Sequence, residues 1–172
     1  DRGVHICKSM LAWQHWGQGT TPESTGLKGD HFVGEWYVRY SREAEENIYL
    51  DEEVLEMLKR WEIGDEEILA CWQMMNDWVY QGFGTTYKRL GLIFDKIFYE
   101  SETYKLGKDI IAASVEKAVF SKDAQGNMVF YLPVSEFGLA KDGQAKKITV
   151  LRPDGTSLYI TQDIGTALMK VT

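Results

Sequence analysis

Two cysteines, Cys7 and Cys71, are all that 172 residues contain. They are too few and too distant in sequence for a disulfide framework or a zinc knuckle. His5 stands two residues before Cys7. Zinc sites gather three or four convergent ligands, and nothing further accompanies this pair, so no metal site is expected. Positive charge is also scarce: 19 Lys and Arg face 26 Asp and Glu, a formal net charge of −7. That balance excludes the electrostatic footprint of a nucleic-acid-binding surface, so little affinity for nucleic acid is expected. No apolar run approaches the length of a membrane span, and no secretory h-region opens the chain. Two free thiols suit a reducing compartment, and a cytoplasmic location is expected. Nucleophile elbow, P-loop and dinucleotide glycine fingerprint are all missing. Gly17-Gln18-Gly19 is too short to cradle a phosphate and follows a helical pattern, not a strand.

Apolar and aromatic residues are plentiful. A hydrophobic content of 44% and an aromatic content of 13%, with six Trp and nine Tyr, suffice for one core, or one core and a small appendage. Residues 5–16 read as a helix with Ile6, Met10, Leu11 and Trp13 on its apolar face. Residues 17–34 are punctuated by glycine and read as loop. Phe32 to Tyr40 is aromatic-rich without strict alternation, open to a short strand or the start of the next helix. Acids crowd residues 41–62, yet Val54, Leu58 and Trp61 keep helical spacing, which predicts a solvated helix with a narrow packed stripe. Gly64-Asp65 ends that helix and starts another, Asp65 capping the free amides of the first turn. Ile68, Trp72, Met75 and Val79 continue the second helix, which Gly82 and Gly84 are expected to break.

Further on, residues 93–99 read as a buried strand. Residues 106–118 read as a helix with Ile110, Ile111, Val115 and Val119 inward. Residues 119–121 and 128–132 flank the turn-like Asp123 to Asn127, a predicted hairpin, and 146–152 read as a last strand. That strand feeds Asp154-Gly155, a tight turn. Ile160, Ile164, Ala167, Leu168 and Val171 then define an apolar stripe on a closing helix. Tyr159 and Asp163, four residues apart, project from its flank in one direction. A phenol and a carboxylate together suit a cationic ligand, a planar guanidinium above all; spacing alone fits equally a surface Asp beside a half-buried Tyr. The order of elements predicts a helix-rich α/β chain. Residues of about 17–62 form a loop and acidic helical insertion, and about 63–172 a helix, strand, hairpin and closing helix.

Several stretches resemble arginyl-tRNA synthetases. Asp154-Gly155-Thr156 with Leu158 to Ile164 is similar to that family's DGT-x-LYxTxDI segment. Trp61-Glu62-Ile63-Gly64-Asp65, Trp72 to Asn76, Gly82-Phe83 with Thr86 to Gly91 and Phe94-Asp95, and Tyr99-Glu100-Ser101 resemble its motifs in the family's order. Asp1 to Ser9 resembles the segment that follows its first nucleotide-binding half-fold. The resemblance implies an internal fragment, residues 1–172, of a class I Rossmann-like catalytic domain. Neither HIGH nor KMSKS occurs in it. The implied parent activates L-arginine with ATP and Mg²⁺ and transfers it to tRNA(Arg), through an arginyl-adenylate and without a covalent enzyme intermediate. Tyr159 and Asp163 are implied to hold the arginine guanidinium; no catalytic residue is implied in this segment. The segment alone is expected to be inactive and to bind no cofactor. Arg2, His5 and Gln162 lie near the matched motifs without an implied role. Two other readings fit the same residues: a stand-alone arginine- or guanidinium-binding module, and an interaction domain using its acidic helix.

Overall fold

The computed structural model describes residues 1–17, 19–115 and 117–171. Gln18 of the short glycine pattern, Glu116 near the end of the helix expected over 106–118, and Thr172 lie outside them. After Ile97 the chain divides into two compact units.

The first unit is helical: α1 (Val4–Trp16), α2 (Pro22–Thr25), α3 (Gly29–Glu46), α4 (Tyr49–Glu62) and α5 (Glu66–Leu90). α1 packs against α3, α4 and α5. Met10, Phe32, Tyr40, Leu50, Val54, Leu58 and Met75 fill the core. All six tryptophans belong to this unit. Phe32 meets Trp36 and Trp78 edge to face, with ring centroids 6.0 and 5.4 Å apart. Val54, Leu58 and Trp61 are buried on α4 as their spacing predicts. Asp65 caps α5, its carboxylate accepting from the Ile68 amide at 3.1 Å.

Of the two readings open for Phe32 to Tyr40 the helical one holds: the stretch lies within α3, with Phe32, Val33 and Tyr40 buried. Two expectations change here. The loop expected over 17–34 shrinks, since α2 and the start of α3 both fall inside it. The break at Gly82 and Gly84 is not made: α5 runs through both. Gly82 serves close packing instead, because a Cβ there would fall 2.7 Å from the Asp30 amide nitrogen of α3.

The second unit holds α6 (Glu100–Val115), β1 (Ser121–Lys122), β2 (Met128–Tyr131), α7 (Val134–Phe137), β3 (Lys147–Leu151) and α8 (Tyr159–Val171). The strands form one antiparallel sheet in the order β1-β2-β3, with the predicted hairpin at β1-β2. Asp123 shapes its turn, one carboxylate oxygen accepting from the Gln125 and Asn127 amides and the other from Lys147 Nζ at 2.6 Å. Lys147 first, then Asn127 and the turn amides, hold the Asp123 carboxyl down at about 2.

The strand expected over 93–99 does not form. Residues 92–99 lack regular structure and Ile93 is 93% exposed. A strand needs ladder partners for its amides and carbonyls, and the described residues offer none there. α6 starts six residues earlier than predicted, at Glu100, and Val115 and Val119 are exposed. Its buried residues are Thr103, Tyr104, Gly107 and Ile111. The described residues form a helix-rich α/β fold, with a small sheet in the second unit.

Candidate functional site

α8 is built from the sheet outward. Met128 pairs with Leu151 and Val129 with Thr149, which leaves Val150 as the extra residue of a β-bulge. Its carbonyl is satisfied from outside the ladder, by the Thr161 hydroxyl. The Thr161 oxygen also accepts from the Leu158 amide at 3.2 Å, the back-reaching half of a capping box. Between β3 and α8, Asp154 accepts from the Thr156 amide at 3.0 Å and hydroxyl at 2.8 Å. Gly155 takes φ +82° in this turn. Arg152 braces the same turn through Thr156 Oγ1 at 3.2 Å.

Tyr159 and Asp163 therefore stand on the first turns of α8, as their spacing predicts. Tyr159 is 53% exposed. Asp163 is exposed, and its carboxylate makes no ion pair or hydrogen bond with the described residues. Its carboxylate faces solvent, with Tyr159 one helical turn before it. An open cleft in this unit, about 640 Å³ and lined by residues such as Asp123, Tyr131, Lys146 and Lys147, includes neither side chain.

The inward face of α8 differs from expectation. Thr161, Gln162 and Gly165 are buried, whereas Ala167, Leu168 and Val171 of the apolar stripe are exposed. The helix turns its small residues toward α6 because close backbone approach decides the packing. Gly107 of α6 faces the Thr161 carbonyl, and Gly165 of α8 faces the Thr103 carbonyl. Thr161, Thr103 and the two glycines were not singled out from sequence. The signal that marks them is a Thr-x-x-x-Gly spacing present in both helices, at 103–107 and 161–165.

The other singled-out residues belong to the first unit, except Gln162 on α8. Arg2 is buried, paired with Glu62, its guanidinium 5.2 Å from the Trp61 ring centroid. His5 is exposed, Nδ1 3.1 Å from the Tyr37 hydroxyl, whereas Cys7 is buried, so the two do not converge on one ligand position. Burial pushes the Cys7 thiol up to about 12 and the Cys71 thiol up to about 11. Gln162 is 3% exposed, and its Oε1 has no hydrogen-bond partner among the described residues. No three His, Cys, Asp or Glu side chains among the described residues come together as a metal set.

A family profile, tRNA synthetases class I (R), catalytic domain, matches residues 23–172. The chain belongs to this family of class I synthetase catalytic domains. Among the relatives is the arginine–tRNA ligase of Parabacteroides distasonis, 49% identical over 99% of this chain and 30% of its own length. The arginine–tRNA ligases of Amoebophilus asiaticus and Porphyromonas gingivalis are each 47% identical, over 97% and 99% of this chain and 30% of theirs. The chain spans about 30% of the length of these curated relatives.

Proposed function

We propose that this chain is the arginine-selecting segment of an arginine–tRNA ligase. Near-complete coverage of the chain by relatives of that name carries the reading. An open carboxylate on a helix pinned at its inner face supports it chemically. Asp163 supplies the countercharge and accepts from the guanidinium fork, and Tyr159 packs on or bonds to the planar group. Citrulline, which is uncharged, forfeits the charged hydrogen bonds, and an ammonium does not fill a bidentate fork.

ATP and its Mg²⁺ belong, in this reading, to parts of the full-length protein other than the described residues. ATP supplies the activation of the arginine carboxylate, and tRNA(Arg) accepts the product. No helix of the described residues is long and apolar enough to cross a membrane. The cytoplasm is the proposed location.

Aminoacylation kinetics of the full-length protein test the reading. Asp163→Asn keeps the shape and removes the charge, and is expected to lower kcat/KM for arginine by on the order of 2–4 kcal/mol. The KM for ATP should change little. An Asp163→Asn protein with unaltered kcat/KM for arginine would remove Asp163 from the site.

A further inference from the structure

The crossing of α6 over α8 is tighter than side chains normally allow. A Cβ at Gly107 would fall 1.9 Å from the Thr161 carbonyl oxygen, and one at Gly165 would fall 2.0 Å from the Thr103 carbonyl oxygen. The arrangement is reciprocal, each glycine receiving the threonine that stands four residues before the other glycine. Both threonines are fully buried.

Thr161 sits midway between Tyr159 and Asp163. At about 100° per residue, two residues are about 200°, so the pair projects almost opposite the clamped residue. Three constraints meet on the inner side of this single turn: the Gly107 backbone, the Val150 carbonyl and the Leu158 amide. A displacement of the inner side therefore carries both outer side chains with it.

The geometry points to Gly107 as a positioning residue for guanidinium recognition, acting through the Thr161 backbone and touching no substrate. The inference rests on the reading of Tyr159 and Asp163 as the guanidinium pair. A methyl group at 107 must part the two backbones by about 1 Å to reach the shortest separations that Cβ atoms show. A charged hydrogen bond occupies a window of a few tenths of an ångström, and a misplacement of about 1 Å lowers rates by about a hundredfold.

The test compares Gly107→Ala, Asp163→Asn and the double variant in the full-length protein, with Asp109→Ala, exposed on α6, as control. Gly107→Ala is expected to raise the KM for arginine by about tenfold to a hundredfold, with the KM for ATP unchanged. Added to Asp163→Asn it should raise the arginine KM no further, because the contact it positions is already gone. A folded Gly107→Ala protein with the parental arginine KM overturns the inference while leaving the guanidinium reading intact, provided that Asp163→Asn still raises it. Independent, multiplying effects of the two changes overturn it as well. Asp163→Asn without effect removes the reading itself and this inference with it. Should Gly107→Ala fail to fold, amide exchange of the unaltered protein decides. Protection by arginine that extends from α8 to the α6 amides around Gly107 supports the inference, and protection confined to α8 overturns it.

Discussion

Replacing Thr161 by Val isolates what one hydroxyl does at the junction of sheet and helix. The side chain keeps its shape and burial but loses the bond to the bulged Val150 carbonyl and the one from the Leu158 amide. Val150 is the extra residue of the bulge and is 1% exposed. Its carbonyl then loses the hydroxyl that bonds it. A buried acceptor left unpaired costs about 1–3 kcal/mol. Leu158 is half-buried, so water meets part of the second loss. The sum is about 2–3 kcal/mol, confined to the second unit. Tryptophan fluorescence cannot read it, since every tryptophan lies at or before Trp78. Amide exchange at Val129 and Phe130 can: opening of the sheet should quicken by about 30- to 150-fold, a tenfold change being 1.4 kcal/mol. The tryptophan-detected urea midpoint should stay put. Thr161→Ser, which keeps the hydroxyl, should recover most of the loss. A Val variant within about 0.5 kcal/mol of the parent, or a Ser variant as damaged as the Val one, would refute the reasoning.

Three further outcomes are expected. Cys7 and Cys71, raised to about 12 and about 11 by burial, stay protonated at pH 8. Ellman's reagent should label them at least about a hundredfold more slowly in the native protein than in urea, and equal rates would contradict that burial. Asp123, lowered to about 2 first by Lys147, contributes stability that is complete above about pH 4 and lost as pH falls through the folded value. The NMR-detected urea midpoint of Val129 should drop across that window in the parent but not in Asp123→Asn; parallel curves would rule the contribution out. The 172-residue chain alone, with neither HIGH nor KMSKS in its sequence, should show no arginine-dependent ATP–pyrophosphate exchange. Exchange by the pure chain that Asp163→Asn abolishes would overturn that expectation.

Local signals were legible wherever the physics was local. The Asp65 cap, the Val54–Leu58–Trp61 stripe, the hairpin around Asp123 and the start of α8 at Tyr159 each depend on residues close in sequence. Errors arose where the outcome depended on a distant partner. Residues 93–99 have the composition of a strand, but no strand among the described residues pairs with them. Gly82 carries the mark of a helix break, yet the backbone of α3 fits against it and α5 runs on. On α8, hydropathy marks Leu168 and Val171 as inner residues, whereas the close approach of α6 selects Thr161 and Gly165. Hydrophobic periodicity registers transfer from water and says nothing of how near two backbones can come.

That inverted helix predicts an inverted map of what substitution can do. In most amphipathic helices the large inner side chains can be exchanged for others of similar volume, and the outer positions accept nearly anything polar. On α8 the inner position that meets the α6 backbone is a glycine, so saturation mutagenesis should find position 165 closed to all nineteen alternatives, alanine included. Position 171, 81% exposed though apolar, should take lysine or glutamate in the isolated chain and gain solubility. An engineer reading hydropathy alone would alter the wrong side of this helix.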